Sequence, residues 1–178
     1  MNSPPDNLET ERLRLRKPIL EDAEVIFRHY AQDPEVTKYL TWLPNQNIDE
    51  TREFVYRCLR AWEEGKSYHW VIVRQSDNQV LGMITARVDS FKWELGYVLA
   101  HSHWNQGYMT EAVKAVAAWA LAQPKIYRVW AVCDVDNGAS ARVLGKAGMK
   151  CEGVLSRWSV HPTISAEPRD SYCYAMTK

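Results

Sequence analysis

The stretch HSHWNQGYMTEA, residues 101 to 112, combines two kinds of chemistry in a short segment. His101 and His103 lie two positions apart, so in an extended segment both imidazoles point the same way and could share a metal ion. Gly107 stands just before an apolar-periodic run, and a glycine before a helix is typical of a turn where backbone N–H groups bind phosphate. The two interpretations predict different proteins.

A metal site is the weaker interpretation because zinc needs three or four ligands at recognisable spacing. Cys133 and Asp134 belong to another predicted strand, and sequence spacing fixes no distance between them and the histidines. We therefore predict no metal and interpret His101 and His103 as loop residues near a cofactor or acceptor. The four cysteines are too dispersed for a C-x-x-C pair, so we expect free thiols.

The charge balance excludes several kinds of partner. The chain has 22 Lys plus Arg against 22 Asp plus Glu, so no field concentrates nucleic acid or an anionic membrane. A bound phosphate must then be held by local geometry. No apolar stretch approaches the roughly 18 residues of a membrane span, and we expect a cytoplasmic protein. A length of 178 residues fits a single domain over 1–178.

Hydrophobic periodicity predicts the elements that must position this segment. Asp49 and Asn137 are possible helix N-caps, and Gly65 and Gly148 are possible helix ends. Helices are predicted over 21–33, 48–65, 108–122 and 137–148, and strands over 12–17, 68–75, 79–88, 92–100, 127–134, 149–160 and 169–177. The order βααβββαβαββ predicts an α/β fold, with a mixed sheet that carries helices on both faces.

Three stretches carry a family resemblance: LETERLRLRKPILEDAE, ELGYVLAHSHWNQGYMTEAV and VDNGASARVLGKAGMKCEGVL. In order and spacing they resemble the GNAT superfamily of acyl-CoA-dependent N-acetyltransferases, in its Rim-type branch of ribosomal-protein N-terminal acetyltransferases. The resemblance implies a sheet splayed at its middle, with acetyl-CoA as cosubstrate in the splay. It also implies two sets of cofactor contacts: the main chain of Val98, Leu99 and Ala100 for the pantetheine arm, and the N–H groups of Asn105, Gln106, Gly107, Tyr108, Met109 and Thr110 for the pyrophosphate.

The resemblance implies catalytic roles as well. Glu94 matches a carboxylate that takes the proton of the acceptor ammonium, directly or through water, although a strand glutamate paired with Lys92 or a neighbouring strand is an equal alternative. Asn137 matches a pantetheine ligand and Ser140 a group near the departing thiolate, and both also make sense as helix-capping residues. The tyrosine that often serves as the acid in this superfamily has no clear equivalent, because Tyr172 and Tyr174 are loosely placed.

The expected activity is acetyl transfer to a primary amine by direct attack in a ternary complex. The acceptor implied by the branch is the N-terminal α-amine of a ribosomal or other protein, held by the loop YLTWLPNQN through Tyr39 and Trp42. Alternatives are a small-molecule amine such as a polyamine, amino sugar or amino acid, a non-catalytic acyl-CoA sensor, and a metal-dependent hydrolase. The oligomeric state, monomer or homodimer, stays open.

Overall fold

The structure is a computed structural model that describes residues 4–178, and it consists of one mixed sheet with helices packed on both faces. The sheet order is β1-β2-β3-β4-β5-β6-β8-β7. The strands are β1 Asn7–Glu9, β2 Leu13–Arg16, β3 Ser67–Arg74, β4 Val80–Asp89, β5 Lys92–Leu99, β6 Arg128–Asp134, β7 Lys150–Ser159 and β8 Arg169–Thr177. The helices are α1 Asp22–Ile26, continued by a π-helical turn Phe27–Ala31, α2 Pro34–Thr37, α3 Ile48–Glu63, α4 Tyr108–Ala122 and α5 Gly138–Lys146.

The predicted fold class and element order are confirmed, with two short additions. Strand β1 and helix α2 were not predicted, because they are three and four residues long and too short to establish a period. The predicted cap of α3 was wrong. Asn47, not Asp49, caps this helix, because its extended backbone lets the side-chain oxygen accept hydrogen bonds from the N–H groups of Asp49 and Glu50.

Strand alternation sends apolar side chains to two separate clusters. Trp70 and Ile72 of β3 face the cluster that contains α4, whereas Val71 and Val73 face the cluster beneath α1 and α3. Both faces of the central strands are therefore buried, which explains their continuous apolar runs. Among residues 4–178, none of the helices combines the length and the apolarity that a membrane crossing needs.

The sheet opens between β5 and β6, its two parallel neighbours. The two strands pair only at their first residues, where Lys92, Trp93 and Glu94 lie opposite Arg128, Val129 and Trp130. Beyond these pairs the strands separate, although β5 continues to Leu99 and β6 to Asp134. The expected splay is thus present. Helix α4 connects the two strands, so the opening lies beside the N-terminus of that helix.

Candidate active site

A cavity of about 1170 Å³ is lined by both strands of the splay, the start of α4, helix α5 and the segments around α2 and α3. Twelve of the predicted site residues line this cavity: Tyr39, Trp42, Glu94, Val98, Leu99, Asn105, Gly107, Tyr108, Met109, Thr110, Asn137 and Ser140. Ala100 and Gln106 do not line it. The structure therefore brings most of the predicted site together in one space.

The turn that begins α4 has the geometry of an anion-binding site. Gly107 occupies the N-cap position with a φ of +81°, in the left-handed region that favours glycine, and no side chain caps the helix. The N–H of Glu111 donates to the Gly107 carbonyl, which leaves the N–H groups of residues 108 to 110 outside the helical bonding pattern. Free N–H groups and the positive end of the helix dipole favour a phosphate here.

A basic side chain that the sequence analysis missed lies at this turn. Arg12 donates from Nη1 to the Gln106 carbonyl oxygen at 3.0 Å and from Nε to Glu111 at 2.7 Å, and its guanidinium lies 4.6 Å from the centre of the Tyr108 ring. Burial raises the pKa of the Glu111 carboxyl, but hydrogen bonds from Thr10 and Arg12 outweigh burial and leave that pKa below its ordinary value. The turn thus has a guanidinium beside its free N–H groups, and this guanidinium is ion-paired with Glu111.

The hydrogen bonds of the β5 backbone determine which of the predicted pantetheine contacts are available. The Ala100 N–H donates to the Leu81 carbonyl at 2.8 Å, and the Ala100 carbonyl accepts from His103, so both groups are already paired. Val98 lies two residues earlier, so its backbone groups also point towards β4. The contacts predicted through the main chain of Val98 and Ala100 are therefore not supported. Alternation turns the backbone groups of Tyr97 and Leu99 towards the splay, where the Leu99 carbonyl already accepts a hydrogen bond from Trp104 Nε1 at 2.8 Å.

Tyr97 is a second residue that the sequence analysis missed. Its hydroxyl lies 2.7 Å from the Ser140 hydroxyl, inside the cavity, whereas Tyr172 and Tyr174 do not line it. Burial raises the pKa of Tyr97 well above its ordinary value, so the hydroxyl stays protonated at neutral pH. The Ser140 N–H donates to the Asn137 side chain at 3.1 Å, which confirms Asn137 as the N-cap of α5.

The comparison with known protein families decides the family. The acetyltransferase (GNAT) domain matches residues 12–150 of this chain. The chain belongs to the GNAT acetyltransferase family. The matched range contains the splay, the α4 turn and the α5 cap.

Relatives of this GNAT acetyltransferase cover it almost end to end. The uncharacterized N-acetyltransferase YoaA of Bacillus subtilis (strain 168) is 30% identical over 174 residues, which are 96% of each chain. A GNAT-family acetyltransferase from Bacillus anthracis has a crystal structure similar to this chain with a TM-score of 0.84, at 28% identity, over 96% of this chain and 98% of that one. RimL, a ribosomal L7/L12 α-N-protein acetyltransferase solved with coenzyme A, is similar with a TM-score of 0.84 at 21% identity, over 94% and 95% of the two chains. The likeness to RimL supports the fold alone.

Glu94 of this GNAT acetyltransferase lies on the cavity wall and faces a cation. Its carboxylate lies 3.5 Å from the Arg87 guanidinium on β4, while Lys92 pairs with Asp89 instead. The pairing partner is thus the neighbouring strand and not Lys92. An orienting partner suits a base and a structural glutamate equally, so the catalytic role of Glu94 stays a prediction.

The acceptor side of the cavity contains aromatic groups beside neutral and charged polar groups, and the charged ones include Glu53 and Arg57. Tyr39 and Trp42 line it as predicted, together with His69, which the sequence analysis did not single out. His69 lies within 3.0 Å of the Thr85 hydroxyl, and burial with the nearby Arg87 charge lowers its pKa to about 4. This imidazole is therefore neutral at physiological pH.

The two histidines of the motif lie in a turn and contact different residues. Residues 101 to 103 form a 3₁₀ turn and not an extended segment, so the assumption that both side chains point the same way was wrong. The His101 ring lies 4.4 Å from the Trp104 ring, whereas His103 is buried, which lowers its pKa, and it lies 6.5 Å from the Tyr108 ring. Within residues 4–178, no group of three or more His, Cys, Asp or Glu is placed to hold a metal ion.

Proposed function

We propose that the protein transfers the acetyl group of acetyl-CoA to a primary amine, and that its acceptor is the N-terminal α-amine of a protein or peptide. The observation that carries the proposal is the splay between β5 and β6, which opens directly onto the uncapped N-terminus of α4. This space suits a long cofactor with phosphates at one end. We take the acceptor class of this proposal from the name of RimL, a structural neighbour that was solved with coenzyme A and is named for α-N-protein acetylation.

In the proposed cofactor position, the pyrophosphate is held by the N–H groups from Asn105 to Thr110 and by Arg12, which the resemblance did not include. Charge-assisted hydrogen bonds of this kind are the strong ones in proteins. The pantetheine arm follows the backbone of β5 at Leu99 and Tyr97, in the manner of an added strand. Asn137 lies at the facing edge of the cavity, at the start of α5.

In the proposed reaction the amine attacks the thioester carbonyl directly, with no metal and no covalent enzyme intermediate. The acceptor ammonium loses one proton to Glu94, directly or through water, and the new C–N bond forms as the C–S bond breaks. The second proton of the attacking nitrogen ends on the CoA sulfur. We assign Ser140 a hydrogen bond to that thiolate, and the Tyr97 hydroxyl 2.7 Å from the Ser140 hydroxyl supports this assignment.

We choose an α-amine because the pKa of its ammonium form is lower than that of a lysine side chain. At pH 7 about a tenth of an α-amine with a pKa near 7.7 to 8.0 is neutral, against about a few in ten thousand for a lysine-like amine near 10.4. The loop with Tyr39 and Trp42 supplies aromatic surface for a short peptide. A chain with no net charge does not steer polyamines towards the site.

An acceptor screen tests this proposal. We expect peptides with a free small or polar N-terminal residue to be acetylated with a higher kcat/KM than spermidine, an amino sugar, or the same peptide blocked at its N-terminus and carrying a lysine. CoA release and product mass are measured together. Faster acetylation of a polyamine or amino sugar would contradict the acceptor, whereas binding of acetyl-CoA without turnover on any amine would indicate a sensor.

The variant Glu94→Gln tests the proposed base. We expect turnover to fall by about 10- to 100-fold at neutral pH and by less at high pH, where more of the amine is already neutral. The measurement is kcat/KM for one acceptor across pH. Glu152→Gln is the matched control, because Glu152 also pairs with an arginine on the sheet, Arg128, but lies outside the cavity. A mutant rate that stays a constant fraction of wild type at every pH would speak against a base.

A further inference from the structure

His161 is a buried residue of the loop between β7 and β8 that the proposed reaction does not use. Its side chain is 6% exposed and lines the cavity on the acceptor side, close to the end of β6. Its ring contacts two separate parts of the chain. One is the loop that contains Tyr39 and Trp42, and the other is Asp134, the last residue of β6.

The partners of the ring define its hydrogen positions. Nδ1 lies 3.3 Å from the Leu40 carbonyl oxygen, and because a carbonyl can only accept, Nδ1 carries a hydrogen and donates it. Nε2 lies 3.6 Å from the Asp134 carboxylate and has no hydrogen-bond partner among the described residues. The ring therefore lies between the two segments, with Nδ1 bonded to Leu40 and Nε2 facing the Asp134 carboxylate.

The Asp134 side chain, which lies beside the His161 ring, is itself held rigidly in place. Its side chain is fully buried, and it accepts hydrogen bonds from Arg169 Nε at 2.7 Å and from the Asp136 N–H at 2.9 Å. Burial raises the pKa of the Asp134 carboxyl, but these hydrogen bonds outweigh burial and leave that pKa below its ordinary value. Asp134 is therefore a fixed anion at the end of β6.

The loop over residues 39–42 makes few other hydrogen bonds, although Trp42 packs against the buried cluster beneath α1 and α3. The Leu40 N–H bonds to Thr37 within the same segment, and the Tyr39 hydroxyl donates a long hydrogen bond, 3.4 Å, to the Asp136 carbonyl. The Tyr39 ring also packs edge-on against the His161 ring, with the ring centres 6.4 Å apart. His161 thus contacts the loop through both a hydrogen bond and an aromatic contact.

We infer that His161 is a positioning residue that holds the loop over residues 39–42 against the end of β6 and so sets the affinity for the acceptor amine. The inference rests on the proposed function, in which Tyr39 and Trp42 contact the acceptor. It assigns His161 no contact with the reacting atoms. Its removal should therefore change acceptor binding and leave the cosubstrate site as it is.

Two substitutions separate the hydrogen bond from the packing of the ring. His161→Phe keeps an aromatic ring beside Tyr39 and removes both nitrogens, whereas His161→Asn keeps a donor close to the position of Nδ1. We expect His161→Phe to raise the acceptor KM about tenfold, with the acetyl-CoA KM changed less than about twofold and kcat nearly unchanged. His161→Asn should recover most of the acceptor affinity.

His29→Phe is the matched control. His29 Nδ1 also lies 3.3 Å from a backbone carbonyl, that of Val80, but His29 does not line the cavity. We expect this variant to leave both KM values unchanged. Equal effects of His29→Phe and His161→Phe on the acceptor KM would overturn the inference, because they would indicate a general loss of stability. An equal rise of the acceptor KM and the acetyl-CoA KM in His161→Phe would also overturn the inference.

Hydrogen exchange of the backbone N–H groups of residues 39–43 and of Asn45 gives a readout that needs no acceptor. We expect exchange about tenfold faster in His161→Phe than in wild type, and unchanged exchange in His29→Phe. If no amine is acetylated by wild type, the proposed function fails while this result still tests the attachment of the loop. Faster exchange with an unchanged acceptor KM would overturn the role in acceptor affinity, and unchanged exchange would overturn the attachment itself.

Discussion

Replacing Gly107 with valine is expected to weaken acetyl-CoA binding by about 100-fold or more while the chain remains folded. The residue has a φ of +81°, which a β-branched side chain adopts only at a cost of about 1–3 kcal/mol. Relief of that strain turns the N–H groups at the start of α4 away from the phosphates. Hydrogen bonds to charged groups contribute about 1.5–3 kcal/mol each, so the loss of one or two accounts for the expected change.

The geometry around Gly107 adds a second reason for this loss. A Cβ on this residue would lie 3.3 Å from Nη2 of Arg12, so the larger side chain also displaces the guanidinium that we place beside the pyrophosphate. Calorimetric titration with acetyl-CoA measures the affinity, and a thermal melt checks the fold. Gly145→Val is the matched control, because Gly145 lies on α5 with no atom within 4 Å of the added Cβ. Unchanged affinity in Gly107→Val would remove the phosphate assignment.

Sequence patterns predicted the structure best where it depends on residues close together in the chain. The apolar stripe and the following proline placed α4 over 108–122, and the structure has the same bounds. Asn137 was recognised as a cap because its acceptor oxygen and the N–H of Ser140 that donates to it are three residues apart. Where two neighbouring residues could both cap a helix, as Asn47 and Asp49 could, the choice depended on backbone angles that no pattern contains.

The parts of the site that the sequence did not predict depend on distant contacts. Arg12 reaches the turn at Gly107 from the position just before β2, about 95 positions earlier, and the motif RLRLRK predicts only that it lies on a strand. Tyr97 meets Ser140 across the splay, 43 positions along the chain. Such pairs follow from which strands neighbour each other, and the periodicity of either segment alone does not contain that information.

The hydrophobic pattern of β5 also does not predict which of its backbone groups face the splay. Strand alternation predicts which side chains share a face, and Glu94 and Arg87 do meet on one face as partners in register. Which N–H groups face the splay depends on the pairing of β5 with β4. The hydrogen bond from Ala100 to Leu81 settles it, and moves the proposed pantetheine contacts to Leu99 and Tyr97.

Gly82→Ala is expected to lower both the stability of the protein and its affinity for acetyl-CoA. Gly82 lies on β4 opposite Leu99, and a Cβ there would overlap the carbonyl oxygen of Val98. That oxygen is backbone in a central strand and cannot rotate away, so β5 has to shift into the splay. Overpacking of this kind typically costs about 1–3 kcal/mol, which corresponds to a Tm lower by about 2–12 °C in a chain of this size.

The loss of affinity in Gly82→Ala should exceed what the lower stability explains. At 25 °C most of the variant is still folded, so an affinity for acetyl-CoA that falls by about tenfold has to come from the moved β5 backbone. Gly145→Ala is the matched control and should keep wild-type affinity with an equal or higher Tm, because alanine is the better helix former. A destabilised Gly82→Ala with wild-type affinity would contradict a pantetheine arm paired along β5, since the arm depends on backbone groups that this substitution displaces.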